Sequence, residues 1–327
     1  YDTGSTGAAT VTGAGSSWTN SDDLFVGNAG DGTLTIADGG AVSSLNSLIG
    51  FDTGTTGTVT VTGVGSTWTH SQDLLVGFFG NGTLTIADGG AVSDEYGLIG
   101  LYPGAIGTVT VTGVGSTWTH SVDLLVGYLG NGALTIANGG AVSDEYGLIG
   151  FDTDATGAVT VTGAGSSWTH GEELFVGYYG DGTLTIENGG AVSNTYGSIG
   201  YETGSTGAVT VTGVGSTWTN SEELYVGDYG DGTLTVADGG TVSNTYGSIG
   251  FDTGTIGTVM VTGAGSTWTN SEELFVGEFG SGTLTIADGG AVEADGVTLA
   301  WDTLGTGTLN IGAAAGDAAV TAGSLDT

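Results

Sequence analysis

Apolar and polar residues alternate in short runs along most of this chain, between clusters of glycine. Thr58-Val59-Thr60-Val61-Thr62 alternates with period two, and Thr83-Leu84-Thr85-Ile86 does the same. Period two is the signature of a strand with one face in a core. It predicts Val59, Val61, Leu84 and Ile86 inside and their threonine neighbours outside. Thr67-Trp68-Thr69 follows the same rule and puts Trp68 inside. Leu74 and Val76 are predicted internal, while the residue between them varies among Phe, Leu and Tyr and is predicted to face outward. GNG, GDG and DGG triplets punctuate these strands as turn signals. No uninterrupted apolar run approaches the ~20 residues of a membrane helix.

The pattern repeats. Six copies align without a gap at a period of 50 residues, and a fixed period of this size marks a repeat architecture. Each copy holds two related halves, GTVTVTG from Gly57 returning as GTLTIAD from Gly82. LLVG ending at Gly77 corresponds to GLIG ending at Gly100, slightly out of step, and the next connection compensates. The unit is therefore a coil of ~25 residues made of short strands and turns. The expected fold is all-β, a parallel β-solenoid of about thirteen coils, with stacked strands ~4.8 Å apart and a span of roughly 60 Å. Residues 1–300 form six repeats, and 301–327 are expected to be a divergent C-terminal coil continuing the same solenoid. No polar capping segment stands at either end, so the chain reads as a mature piece or an excerpt of a longer array, or as a subunit joined end to end.

Composition narrows the function. There is no lysine, arginine or cysteine, and 35 acidic residues give a formal charge of −35 over 327 residues. Phosphate backbones and anionic lipids are bound through Lys or Arg, which argues against a nucleic-acid or membrane partner. Walker-type and Schiff-base lysines are impossible. Without disulfides, the stack of coils must supply the stability itself.

The unit TVTVTGxGSxW followed by LxVGxxGxGTLTIxxGGxV resembles repeats in passenger regions of bacterial autotransporters. Thr58–Gly65, Trp68, Leu74–Gly77 and Gly80–Val92 carry the resemblance in one copy, and it recurs through Ile249. Gly305–Gly312 and the alanine-rich stretch after it look similar too. The resemblance implies a right-handed β-helix exported to the cell surface by type V secretion. It says little about activity, and no signal peptide or translocator barrel is present in this sequence.

Candidate sites fall into columns. His70, His120 and His170 share one position with Asn20, Asn220 and Asn270. Because Asn replaces His freely, this column is expected to be a solvated polar ladder and not a metal site. Asp38, Asp88, Asp238 and Asp288 form one acidic column, with Asn138 and Asn188 in the same place, and Asp52, Asp152 and Asp252 belong to another. Carboxylates and turn carbonyls suit Ca²⁺, making these seven candidate ligands, although the GGxGxDxUx calcium repeat is absent. The bland alternative is turn acids screened by salt. Glycosidase-like acid spacings occur almost anywhere in such a chain, and nothing breaks the repeat as a catalytic centre would, so no enzyme is expected.

The aromatic residues Phe78, Phe79, Tyr128, Tyr178, Tyr179, Tyr229 and Phe279 sit in the variable GxxG connection. They are candidates for self-association or glycan binding, or are corner residues folded over the core. Tyr96, Tyr146, Tyr196 and Tyr246 form a further column. Threonines of consecutive coils, such as Thr33, Thr58, Thr83 and Thr108 beside Thr35, Thr60, Thr85 and Thr110, form a TxT lattice. It is similar to the ice-binding face of solenoid antifreeze proteins, and Ala8, Ala133, Ala158, Ala208, Met260 and Asn310 interrupt it. The expected function is an extracellular, self-associating structural rod or filament subunit at the cell surface or in a biofilm matrix. The alternatives are a surface adhesin for glycans or other cells, and an ice-binding protein.

Overall fold

The computed structural model describes residues 4–312 and 319–326. They form an all-β, right-handed parallel β-solenoid of about 12 turns. The chain divides into two compact units, residues 1–159 with 165–169, and 160–164 with 170–327.

In the first unit each turn carries a seven-residue strand and two shorter ones, as in Asn81–Ala87, Ala91–Asp94 and Gly97–Ile99. The long strands pair in parallel and in register, Thr60 with Thr35 behind and Thr85 ahead. The alternation works as expected, with Val59, Val61, Leu84 and Ile86 buried and the threonines between them half-exposed. Burying each such side chain stabilises the fold by roughly 1.5–3 kcal/mol before chain entropy is counted. The two kinds of turn differ at their corners. Thr56–Thr62 and Thr67–His70 are joined by residues 63–66, whereas Asn81–Ala87 and Ala91–Asp94 are joined by 88–90. Gly97 nevertheless pairs with Leu74 behind and Leu124 ahead, so the connections absorb the offset.

The second unit repeats this plan. Thr210 pairs with Thr185 and Thr235, and Val209, Val211, Leu234 and Val236 are buried. At its C-terminal end Thr306–Ile311 pairs with Ser281–Ala287, and Ala319–Asp326 with Ala291–Leu299. Residues 313–318 and 327 of the divergent stretch lie outside the described residues.

One expectation is corrected and another is refined. The histidine and asparagine column is not solvated: His70, His120, His170, Asn220 and Asn270 are all buried. In the first unit His120 and Trp118 converge on the buried Asp94, His120 Nδ1 lying 2.5 Å from Oδ1 and Trp118 Nε1 donating to Oδ2 at 2.7 Å. In the second unit Asn194 donates to Asn220 at 2.6 Å and accepts from Trp218 Nε1 at 2.8 Å. Asn replaces His because its partner changes from Asp to Asn at the same step, which keeps the buried hydrogen bonds made. The variable residue between the two internal positions of the LxV strand faces away from the core as expected, but it is not uniformly exposed. Leu125 and Phe175 are buried and Leu75 and Tyr225 half-exposed, because an outer layer of side chains covers them.

Candidate functional site

The outer layer is built at one corner of the solenoid, where the LxV strand runs into the GxxG connection. In the first unit its rings pack face to face and edge to face. Phe51 stacks on Phe78 with centroids 4.9 Å apart, Phe79 on Tyr102 at 4.3 Å, and Tyr128 on Phe151 at 4.9 Å. In the second unit Tyr178 stacks on Tyr201 at 4.9 Å, and Phe251 meets Tyr225, Tyr229 and Phe279 edge-on. Such pairs contribute ~0.5–1.5 kcal/mol each beyond their buried area. The candidate aromatic residues therefore divide. Phe78, Tyr128, Tyr178 and Phe279 are half-buried members of the ladder, while Phe79, Tyr179 and Tyr229 are exposed, Tyr229 to 44%.

The ladder opens into two grooves with carboxylates among their lining in the second unit. One, of about 320 Å³, is lined by Glu173, Tyr196, Ser198, Tyr225, Asp228 and Tyr229 among others. The other, of about 200 Å³, is lined by Glu223, Tyr246, Ser248, Phe251, Phe275 and Glu278 among others. The second is the first moved on by one repeat: Glu173 becomes Glu223, Tyr196 Tyr246, Ser198 Ser248, and Asp228 Glu278. Ser198 pairs with Phe175 on one side and Tyr225 on the other, and Ser248 lies between Tyr225 and Phe275. Each serine hydroxyl donates to a carboxylate on the groove floor, Ser198 to Asp228 at 2.9 Å and Ser248 to Glu278 at 2.8 Å.

The carboxylates are held in an unfavourable setting. Burial pushes Asp228 up to about 7, against the Ser198 hydrogen bond and with help from Glu173, Asp252 and Glu202. Burial likewise raises Glu278, again opposed by its serine. Glu173 and Glu223 are raised by burial and by the neighbouring Glu172 and Glu222. With no lysine or arginine in the sequence, nothing basic offsets them.

The first unit fills the equivalent places differently. Leu48 and Leu98 stand where Ser198 and Ser248 do, and Phe78 and Tyr128 where Asp228 and Glu278 do. Leu98 lies between Leu75 and Leu125. Ser198 and Ser248 are not conspicuous in the sequence. The signal available there is a paired change, Leu to Ser accompanied by aromatic to acid thirty residues on, which one strand or one corner alone does not reveal. A separate hollow of about 300 Å³ lies beside Trp18, Leu24 and Phe25. Among the described residues Trp18 has a strand neighbour on one side only and is 38% exposed, while Trp68, flanked by Val42 and Val92, is 0% exposed.

The calcium candidates lie in turns. Asp38, Asp88, Asp238 and Asp288 all have positive φ, between 50° and 52°. Gly89 follows Asp88 at φ 85°, and Gly90 N–H donates to Ala87 O at 2.9 Å, the pattern of a type I′ turn. Asp and Asn share this column because both tolerate the left-handed region. Asp52 and Asp252 offer their carbonyls to the Thr55 and Thr255 hydroxyls, and Asp152 its carbonyl to Ala155 N–H. Among the described residues, no group of three or more His, Asp or Glu is placed to hold a metal ion.

No protein-family model matches the sequence, and no curated protein matches it significantly. Among solved structures, the chain is similar to the crystal structure of a hyper-glycosylated TibA fragment whose glycosylation is catalysed by TibC. The identity is 16% and the TM-score 0.50, over 96% of this chain and 94% of that one. A likeness at that identity establishes the shared β-helix fold.

Proposed function

We propose that this protein is a structural β-solenoid, exported and displayed at a cell surface, which adheres to other molecules through its aromatic and carboxylate wall. The observation that carries the reading is the pair of carboxylate-bearing grooves, repeated at the solenoid's own period among exposed tyrosines. The fold shared with the TibA fragment and the resemblance to autotransporter passengers support display outside the cell. Chemistry-bearing side chains recur as ladders instead of gathering in one constellation, which favours a binding role over an enzymatic one.

Adhesion to a different molecule fits the wall better than lateral self-association. A second copy would bring only further negative charge against Glu173, Glu223, Asp228 and Glu278, and like charges at close range are repulsive. A repeated site also gains avidity for a partner that repeats its own binding group, as the polymers of a cell surface do. The test combines electron microscopy at low salt with a glycan and whole-cell binding array. Separate particles that bind the array, and lose binding when Tyr179, Tyr229 and Tyr246 are changed to Ser, are the expected result. Long uniform filaments with no array binding would instead identify a self-assembling structural polymer.

A second reading rests on the threonine face. Thr33, Thr58, Thr83 and Thr108 are in register, as are Thr35, Thr60, Thr85 and Thr110. The resulting lattice repeats at ~4.8 Å across coils and ~6.7 Å along a strand. Inhibition of ice recrystallisation, abolished by Thr85→Lys, would support ice binding; no inhibition by the intact protein excludes it.

A further inference from the structure

We propose that the two grooves of the second unit are a tandem binding site for an organic ammonium ion, each clamping one cation between two aromatic side chains above a carboxylate. This goes one step beyond the adhesive reading, on which it rests, by naming the chemistry the wall recognises.

The two units differ at matched positions. Where the first unit places a leucine between Leu75 and Leu125, the second places Ser198 between Phe175 and Tyr225, and Ser248 between Tyr225 and Phe275. The floor changes at the same step, from Phe78 and Tyr128 to Asp228 and Glu278. An apolar filler and an aromatic ring have each been exchanged for a small hydroxyl and an acid, twice, in matching positions. As filling the groove with Leu and Tyr would bury more apolar surface, the exchange sacrifices stability and opens a slot.

The slot has an aromatic side chain on either side. Phe175, buried, and Tyr225, half-exposed, stand on the strands ~4.8 Å to each side of Ser198, so a guest above the serine lies between them. A cation within about 6 Å of an aromatic face is attracted to it, by ~0.5–1 kcal/mol at exposed sites and ~2 or more when desolvated. The volumes of about 320 and 200 Å³ suit a small head group. Charge decides the sign of the guest. Glu173 and Asp228 flank the first slot and Glu223 and Glu278 the second. A neutral sugar would leave these carboxylates uncompensated, and an anion would be repelled. A bare divalent metal lacks a converging set of three ligands among the described residues. An alkylated ammonium satisfies both the rings and the acids.

The groups acting on Asp228 are Glu173, Glu202 and Asp252, all acidic, and the Ser198 hydroxyl; the phenols of Tyr201, Tyr225 and Tyr229 are all raised and stay protonated. Affinity at the first slot therefore rises as the pH passes upward through about 7.

The test is isothermal titration of the full chain with choline chloride, beside its uncharged carbon isostere, glucose and calcium chloride, at constant ionic strength. Two sites per chain for choline, tighter at pH 8 than at pH 6, and none for the isostere are expected. S198L/D228Y and S248L/E278Y rebuild the filling found in the first unit, so both should keep the native circular dichroism spectrum. Each should lose one site, and the combined variant both. Equal binding of the isostere, choline binding that survives in the combined variant, or no choline binding by the folded wild type each overturns the proposal. Loss of choline binding with array adhesion intact would sink this inference and leave the adhesive reading standing; the reverse would separate them the other way.

Discussion

Trp68 and Trp118 occupy the same place in successive repeats, yet they end in different surroundings. Trp118 donates to Asp94, whereas Trp68 Nε1 is buried without a partner. The difference lies in the preceding turn, where Ser44 replaces aspartate and bonds Ser47 at 2.9 Å instead. Ser47 in turn stands where Gly97 does, and a Cβ at Gly97 would collide with the His120 ring. The two positions must therefore change together. The double variant S44D/S47G should supply the missing acceptor without a clash and raise stability by about 1–3 kcal/mol, the cost of a buried unsatisfied donor. A urea denaturation midpoint no higher than wild type would show that the orphaned indole costs nothing.

At the scale of the element, the alternation of strand residues explains the sheets, but the corners set where each strand begins. The Asp-Gly-Gly corner turns the chain through two consecutive residues of positive φ, Asp88 and Gly89. A left-handed conformation costs an ordinary L-residue roughly 1–2 kcal/mol, and a β-branched residue suffers most. Asp88→Asn should be neutral, as the natural Asn138 at the same φ implies, and Asp88→Val should cost about 1–2 kcal/mol. Thermal melts of the two variants measure this directly. Because Asp88 also accepts from the Thr62 hydroxyl at 3.2 Å, an Asn variant that melts like the Val variant would mean the carboxylate itself matters more than the turn.

For the whole molecule the governing fact is charge of one sign. Burial and like-charged neighbours raise Asp73, and burial with acidic neighbours lifts Asp123 to about 6 and Asp228 to about 7. A carboxyl whose folded pKa lies above its unfolded value binds a proton more tightly when folded. Its contribution to stability is fully present below the unfolded pKa, and is lost as the pH rises through the folded one. For Asp228 the window runs from the ordinary 3.8 to about 7. His70 acts in the opposite sense: burial lowers it to about 4, so acidification below the ordinary 6.5 favours the unfolded chain. Between pH 8 and pH 7 the raised Asp228 outweighs His70, so Tm should rise on acidification, and Asp228→Asn should flatten that slope. A Tm that falls over the same interval would mean that these carboxyls are not desolvated in solution.

The solenoid follows from the order of residues alone. Period two selects strands, the 50-residue repeat stacks them in register, and a turn that needs positive φ reads as Asp or Asn before two glycines. These are local requirements, and each residue type states its own. The aromatic corner is legible in the same way, because the GxxG connection varies where the core does not. Which residues of different turns meet is settled only once the chain is folded. Asp94 reaches Trp118 and His120 from one turn away, which turned a column read as solvated into a buried one. Ser198 reaches Asp228 across thirty residues, and neither looks unusual alone. Burial and partnership between turns are properties of the stack, and a strand pattern carries no record of them until the coils are laid one on another.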